Sequence, residues 1–175
     1  MYHPHERDEI LAALDAVRTD VTGHLAGVPA HAFFAGTVIA WGPAQHAAHL
    51  ANSHERVTRG LRMASALPPA TTPARGYVAV REAYLAALAR APVELLAANG
   101  KSAALPENCT QAEVIARYAA ASRALRDAAA AWSEAELDAR AFPHPILGAI
   151  TGTVAASSTE RQSALTMNAA AGAVT

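Results

Sequence analysis

Ile10, Leu14, Val17, Val21 and Leu25 recur at i, i+4, i+7, i+11 and i+15, the spacing of one apolar face of an α-helix. They predict a first helix from about His5 or Glu6 to Leu25, with Asp8 and Glu9 placed to suit the positive end of its dipole. Gly27, Pro29 and Gly36 interrupt the pattern, so residues 28–40 read as a loop whose His31, Phe33 and Phe34 plug one end of a bundle. A second helix is predicted over Trp41 to Arg62, with Gly42 as N-cap and Pro43 as first helical residue, where the missing N–H is harmless. Its stripe of His46, Leu50, Ser53, Val57 and Leu61 turns His46 inward and leaves His49 and His54 on opposite flanks.

Pro68-Pro69 ends that helix. Tyr77, Val80, Tyr84 and Leu88 predict a third, which stops or kinks at Pro92 and fades by Asn99-Gly100, before a polar loop to Cys109. Thr110-Gln-Ala-Glu113 has the spacing of a capping box and opens the clearest helix of the chain, with a seam of Val114, Tyr118, Ala121, Leu125, Ala128 and Trp132. Ser133-Glu-Ala-Glu136 repeats the box and predicts a short restart through Leu137, so the chain bends near Trp132. His144-Pro-Ile-Leu-Gly148 reads as a non-helical approach. A last helix follows from about Gly152, carried by a thin stripe of Val154, Ser158, Leu165 and Ala169, with the tail after about residue 169 frayed.

Composition sharpens this to an all-α fold. The hydrophobic share of 52% is carried by alanine, the strongest helix former, rather than by β-branched residues. At 175 residues the chain is expected to form a single domain over 1–175. A net charge of −1, with neither sign massed in a block, gives no footprint for nucleic acid. The charged start Met-Tyr-His-Pro-His-Glu-Arg lacks the apolar core of a signal peptide, and no run of about 18 apolar residues follows, so no membrane partner is expected and a cytoplasmic location is. One cysteine, Cys109, excludes an internal disulfide framework.

The chemistry narrows by elimination. There is no Gly-x-Ser-x-Gly elbow, no phosphate-cradling glycine loop and no dinucleotide fingerprint. No glutamate has a histidine three residues on, as a di-iron bundle would need, and His54-Glu55 is followed by Thr58 where a helical zinc-protease motif would place histidine. His46 and His49, three apart, can face one metal, and imidazole suits zinc, nickel, copper or iron. Buried imidazoles satisfied by hydrogen bonds explain the pair equally well. His54 beside Glu55 reads as a solvated surface pair, and Cys109, just ahead of a helix N-terminus with no histidine nearby in sequence, as an ordinary loop thiol.

Trp41-Gly-Pro-Ala-Gln-His-Ala-Ala-His49-Leu resembles the second-helix motif of the DinB/YfiT-like proteins, and His144-Pro-Ile-Leu-Gly-Ala-Ile-Thr151 resembles the lead-in to their last helix. The order and spacing of the predicted elements agree over most of the chain. The resemblance implies a DinB-like four-helix bundle, up-down with a long crossover carrying an extra helix and often a homodimer. It also implies a divalent metal, zinc or nickel, bound by one histidine of the second helix and two of the last.

His49 matches the first of those ligands. If Thr151 aligns with the family's threonine, the others fall at Gln162 and Thr166, or one turn earlier at Ser158 and Gln162, and no histidine exists anywhere after His144. A metal would therefore rely on His49 with His46 or a substitute such as Glu160. Amide and hydroxyl ligands bind zinc and nickel poorly beside imidazole. The resemblance leaves two expectations. One is a bundle with a degenerate metal site that binds a small molecule or a partner. The other is a metal-dependent thiol S-transferase or isomerase that uses a low-molecular-weight thiol through an altered metal shell.

Overall fold

The computed structural model describes residues 7–37, 40–63, 68–70, 82–83, 86, 103–144 and 148–151. Helices dominate them: α1 (Arg7–Gly27), α2 (Ala30–Phe33), α3 (Pro43–Arg62), α4 (Gln111–Ala130) and α5 (Glu134–Asp138). A two-stranded antiparallel hairpin follows, β1 (Ala141–His144) and β2 (Gly148–Thr151). The helix predicted from Tyr77 lies outside the described residues except for helical Glu82, Ala83 and Ala86, and the one predicted from Gly152 lies wholly outside them. No helix among the described residues is long and apolar enough to cross a membrane.

Helix α4 starts as its capping box dictates. Thr110 Oγ1 accepts from the Glu113 N–H at 3.2 Å, and Glu113 Oε2 accepts from the Thr110 N–H at 2.7 Å, so two orphan donors are satisfied reciprocally. The Thr110 N–H, together with the Thr110 hydroxyl that donates to the same Oε2 at 2.8 Å, holds the Glu113 carboxyl below the usual range. Val114, Tyr118, Ala121, Leu125 and Ala128 are all buried along α4, while Trp132 packs at the edge of the core. The second box, Ser133 with Glu136, closes in the same way and opens α5.

Two apolar clusters give the helix directions. One joins Ile10, Leu11 and Leu14 of α1 to Leu61 of α3 and Leu125, Ala128 and Ala129 of α4. The other joins Val21 and Leu25 of α1 to Phe33, to Ala44, Ala47 and Leu50 of α3, and to Val114 and Tyr118 of α4. Hence α3 and α4 run parallel, and α1 runs antiparallel to both. A parallel pair of 20-residue helices, each about 30 Å long, requires the chain to return from the end of α3 to the start of α4.

The antiparallel pair closes its own ends. Gln111 Nε2, at the start of α4, donates to the carbonyls of Leu25 (2.8 Å) and Val28 (3.0 Å) at the end of α1. At the other end, Arg7 Nε donates to the Trp132 carbonyl at 2.7 Å and Arg7 Nη2 to that of Ala130. Carbonyls that a helix terminus leaves without intrahelical partners are thereby satisfied by the neighbouring helix.

One local expectation needs correcting and another gains detail. Only Phe33 plugs the bundle end; Phe34 is 38% exposed, because α2 is a single turn and cannot turn two consecutive rings inward. The non-helical reading of His144 to Gly148 agrees with the structure at its two ends, where His144 pairs with Gly148 in an antiparallel hairpin that also sets Phe142 opposite Ile150. Pairing satisfies its backbone, and the chain after α3 adds to it, since the Pro68 carbonyl accepts from the Ala141 N–H at 3.0 Å. Phe142 then buries its ring against Leu61, Leu125 and Leu137.

Leu125→Ala removes a fully buried side chain shared by α1, α3 and α4 and is expected to destabilise the protein by about 3 kcal/mol in urea unfolding.

Candidate functional site

The entry to α3 is built around one amide. Gln45 Oε1 accepts from the Gly42 N–H at 3.1 Å, and Gln45 Nε2 donates to the Gly36 carbonyl at 3.3 Å, which clamps the preceding loop onto the helix start. Gly42 is the N-cap with Pro43 behind it, as predicted. The backbone at Gly36 passes so close to Gly42 that a side chain at position 36 would collide with the Gly42 nitrogen. This clamp fixes Trp41 above the first turns of α3.

Trp41 lies against both histidines of the sequence-derived pair, its indole centroid 5.4 Å from the His46 ring and 4.9 Å from the His49 ring. His46 is half-buried, and its enclosed Nδ1 makes no hydrogen bond among the described residues. His49 is 8% exposed. Burial, reinforced by the neighbouring His46 and Arg56 charges, pushes the His49 pKa from 6.5 to about 4. Burial lowers that of His46 too. Both imidazoles are therefore neutral at neutral pH.

His54 is not on the surface. It is 1% exposed and packs against Tyr118 of α4 with ring centroids 5.6 Å apart. The inner face of α3 is Ala47, Leu50, Ala51, His54, Thr58 and Leu61, turned from the predicted stripe so that His46, Ser53 and Val57 sit at its margin. Alanines at 44, 47, 48 and 51 let α4 approach closely, and an apolar-stripe reading that weights large residues misses a face defined by small ones. Glu55, freed from His54, accepts from the Arg117 guanidinium of α4 at 3.1 Å, and Arg117 also donates to Asn52 Oδ1 at 2.6 Å. Sequence offers no signal for that link, since the partners stand 62 and 65 positions apart.

Cys109 is half-buried in the wall of a cavity of about 300 Å³, shared with Ala48, Leu105, Val114, Glu113 and Arg117. Asn108 beside it takes a left-handed φ of 59°, a conformation asparagine tolerates. The wall is mainly apolar with charge at its rim, the usual constitution of a small-molecule pocket. Among the described residues, no three His, Cys, Asp or Glu side chains gather closely enough to hold a metal ion. Zinc centres take three or four protein ligands, so the donors described, His46 and His49, do not fit one on their own.

Compared with family models, with curated proteins and with solved structures, the chain matches none.

His49 links folding to acid. Its folded pKa lies below that of the unfolded chain, so its contribution is complete above about pH 6.5 and is lost as pH falls toward 4. Stability measured by urea unfolding is expected to drop across that window, and His49→Gln to flatten the drop by on the order of 2 kcal/mol. Separately, Gly36→Ala is expected to cost about 2 kcal/mol through the collision with Gly42, read by thermal unfolding.

Proposed function

We propose that the chain is a DinB-like four-helix bundle, up-down with a long crossover, whose divalent-metal site has degenerated and which binds a small molecule or a partner. The observation that carries this reading is the packing of the Trp41 indole onto His46 and His49, in a chain with no histidine after His144. The imidazole that matches the family's first ligand is engaged in packing, and no histidine lies after His144 to stand where the family's last-helix ligands would. The parallel arrangement of α3 and α4 supports the crossover, and the cavity beside Cys109 is large enough for a small organic molecule. The reading carries with it a cytoplasmic homodimer.

One feature favours a second reading, a metal-dependent thiol S-transferase or isomerase. Burial holds both imidazoles in the neutral form, and neutral imidazole is the form that ligates a metal.

Elemental analysis of protein made without a polyhistidine tag separates the two. After dialysis against zinc or nickel and removal of excess, metal content is expected to stay well below one ion per chain. A near-stoichiometric ion that disappears in His49→Ala would overturn the degenerate-site reading.

A further inference from the structure

Three parts of the fold meet around the cavity at Cys109: Ala48 of α3, the loop that leads into α4, and the first two turns of α4. Its apolar lining belongs to the core. Leu105 and Cys109 pack against the cluster that holds Ala44, Ala47, Leu50 and Val114, so the contacts that join α3 to α4 also fix the cavity wall. At about 300 Å³ the space lies at the small end of organic-ligand pockets, which limits an occupant to one ring or a short chain.

The charged groups of the lining are unequal. Arg117 supplies the positive charge, and that charge is already answered: both oxygens of Glu55 accept from it at 3.1 Å, and Asn52 Oδ1 accepts at 2.6 Å. Glu107 and Glu113 form no ion pair among the described residues. Glu113 gives Oε2 to the Thr110 N–H and hydroxyl. The start of α4, which would otherwise attract an anion, is thereby closed by the protein's own carboxylate. A cleft with unanswered charge of one sign concentrates ligands of the other.

We propose that this cavity binds a small organic cation, an amine on an apolar body, with the body against Ala48, Leu105, Cys109 and Val114 and the ammonium at Glu107 and Glu113. The proposal rests on the small-molecule reading of this chain and adds the charge of the ligand. A bare divalent cation fits less well, because calcium takes six to eight oxygen ligands and half of this wall is apolar.

Cys109 is the sole cysteine of the chain and reports on the cavity it lines. The full chain is titrated with benzylamine, benzyl alcohol and benzoate, which share a ring and differ in charge. Binding is read from backbone amide shifts in NMR and from the rate at which N-ethylmaleimide alkylates Cys109. Benzylamine is expected to shift the amides of Ala48 and of residues 105–117 and to slow alkylation, with benzyl alcohol weaker and benzoate weakest. Glu113→Gln keeps the capping box, since an amide oxygen also accepts from the Thr110 N–H, and Glu107→Gln changes an exposed loop residue. Each is expected to weaken benzylamine by about threefold, the worth of an exposed charge pair, and to leave benzyl alcohol unchanged. Benzoate binding as tightly as benzylamine, or benzylamine binding equally to the double variant, would overturn the proposal while a small-molecule cavity stands. Absence of shifts and of protection with all three compounds would overturn the cavity's small-molecule role as well, a result separate from the metal content that tests the degenerate site.

Discussion

Burial of one face of α4 is the constraint that the rest of the fold satisfies. A helix of 20 residues is marginal alone in water, and most of its stability must come from packing an apolar face. Tyr118 and Leu125, both wholly buried, sit in different clusters, so α4 must be covered along its length by α1 on one side and α3 on the other. The directions of those helices, the long return between α3 and α4, and the mutual closure of carbonyl ends by Arg7 and Gln111 follow from that cover. The ion pairs at the rim, Arg117 with Glu55 and Arg126 with Asp15, are half-exposed and add under about 1 kcal/mol each, so they align the helices more than they hold them.

The same contact determines the state of the histidines. Small residues on α3 bring its backbone toward α4, which draws His54 into the centre and leaves His49 and His46 near the start of the helix, under Trp41. Desolvation then keeps the latter two neutral, because an imidazolium there would give up water. A packed tryptophan and two neutral imidazoles form a rigid corner beside the loop clamped by Gln45. The cavity at Cys109 borders the first half of the α3–α4 contact, at the level of Ala48 and Val114.

Polar side chains serve three different ends in this core. Caps at Thr110 and Ser133 satisfy helix starts locally, through residues three apart. Gln111 and Arg7 satisfy helix ends across the antiparallel pair. His54, Thr58, Tyr118 and Ser122 lie in the interior itself, where the His54 and Tyr118 rings meet between α3 and α4.

By itself the sequence determined what is local. Alanine content and 3.6-residue periodicity specify helices, and a serine or threonine three residues ahead of glutamate specifies where they start; α1, α3, α4 and α5 begin and end close to the positions so read. Gly42-Pro43 at the head of α3 was legible for the same reason, since capping depends on neighbours in the chain. Tertiary structure decided which side of α3 faces inward, because alanine and histidine are ambiguous in hydrophobicity and only the approach of α4 selects among them. That approach turned His54 from a surface residue into a core one, paired β1 with β2 where only a non-helical lead-in was readable, and matched Glu55 with Arg117 across 62 positions. Contacts between residues distant in sequence leave no periodic trace, so they emerge only when the helices are packed.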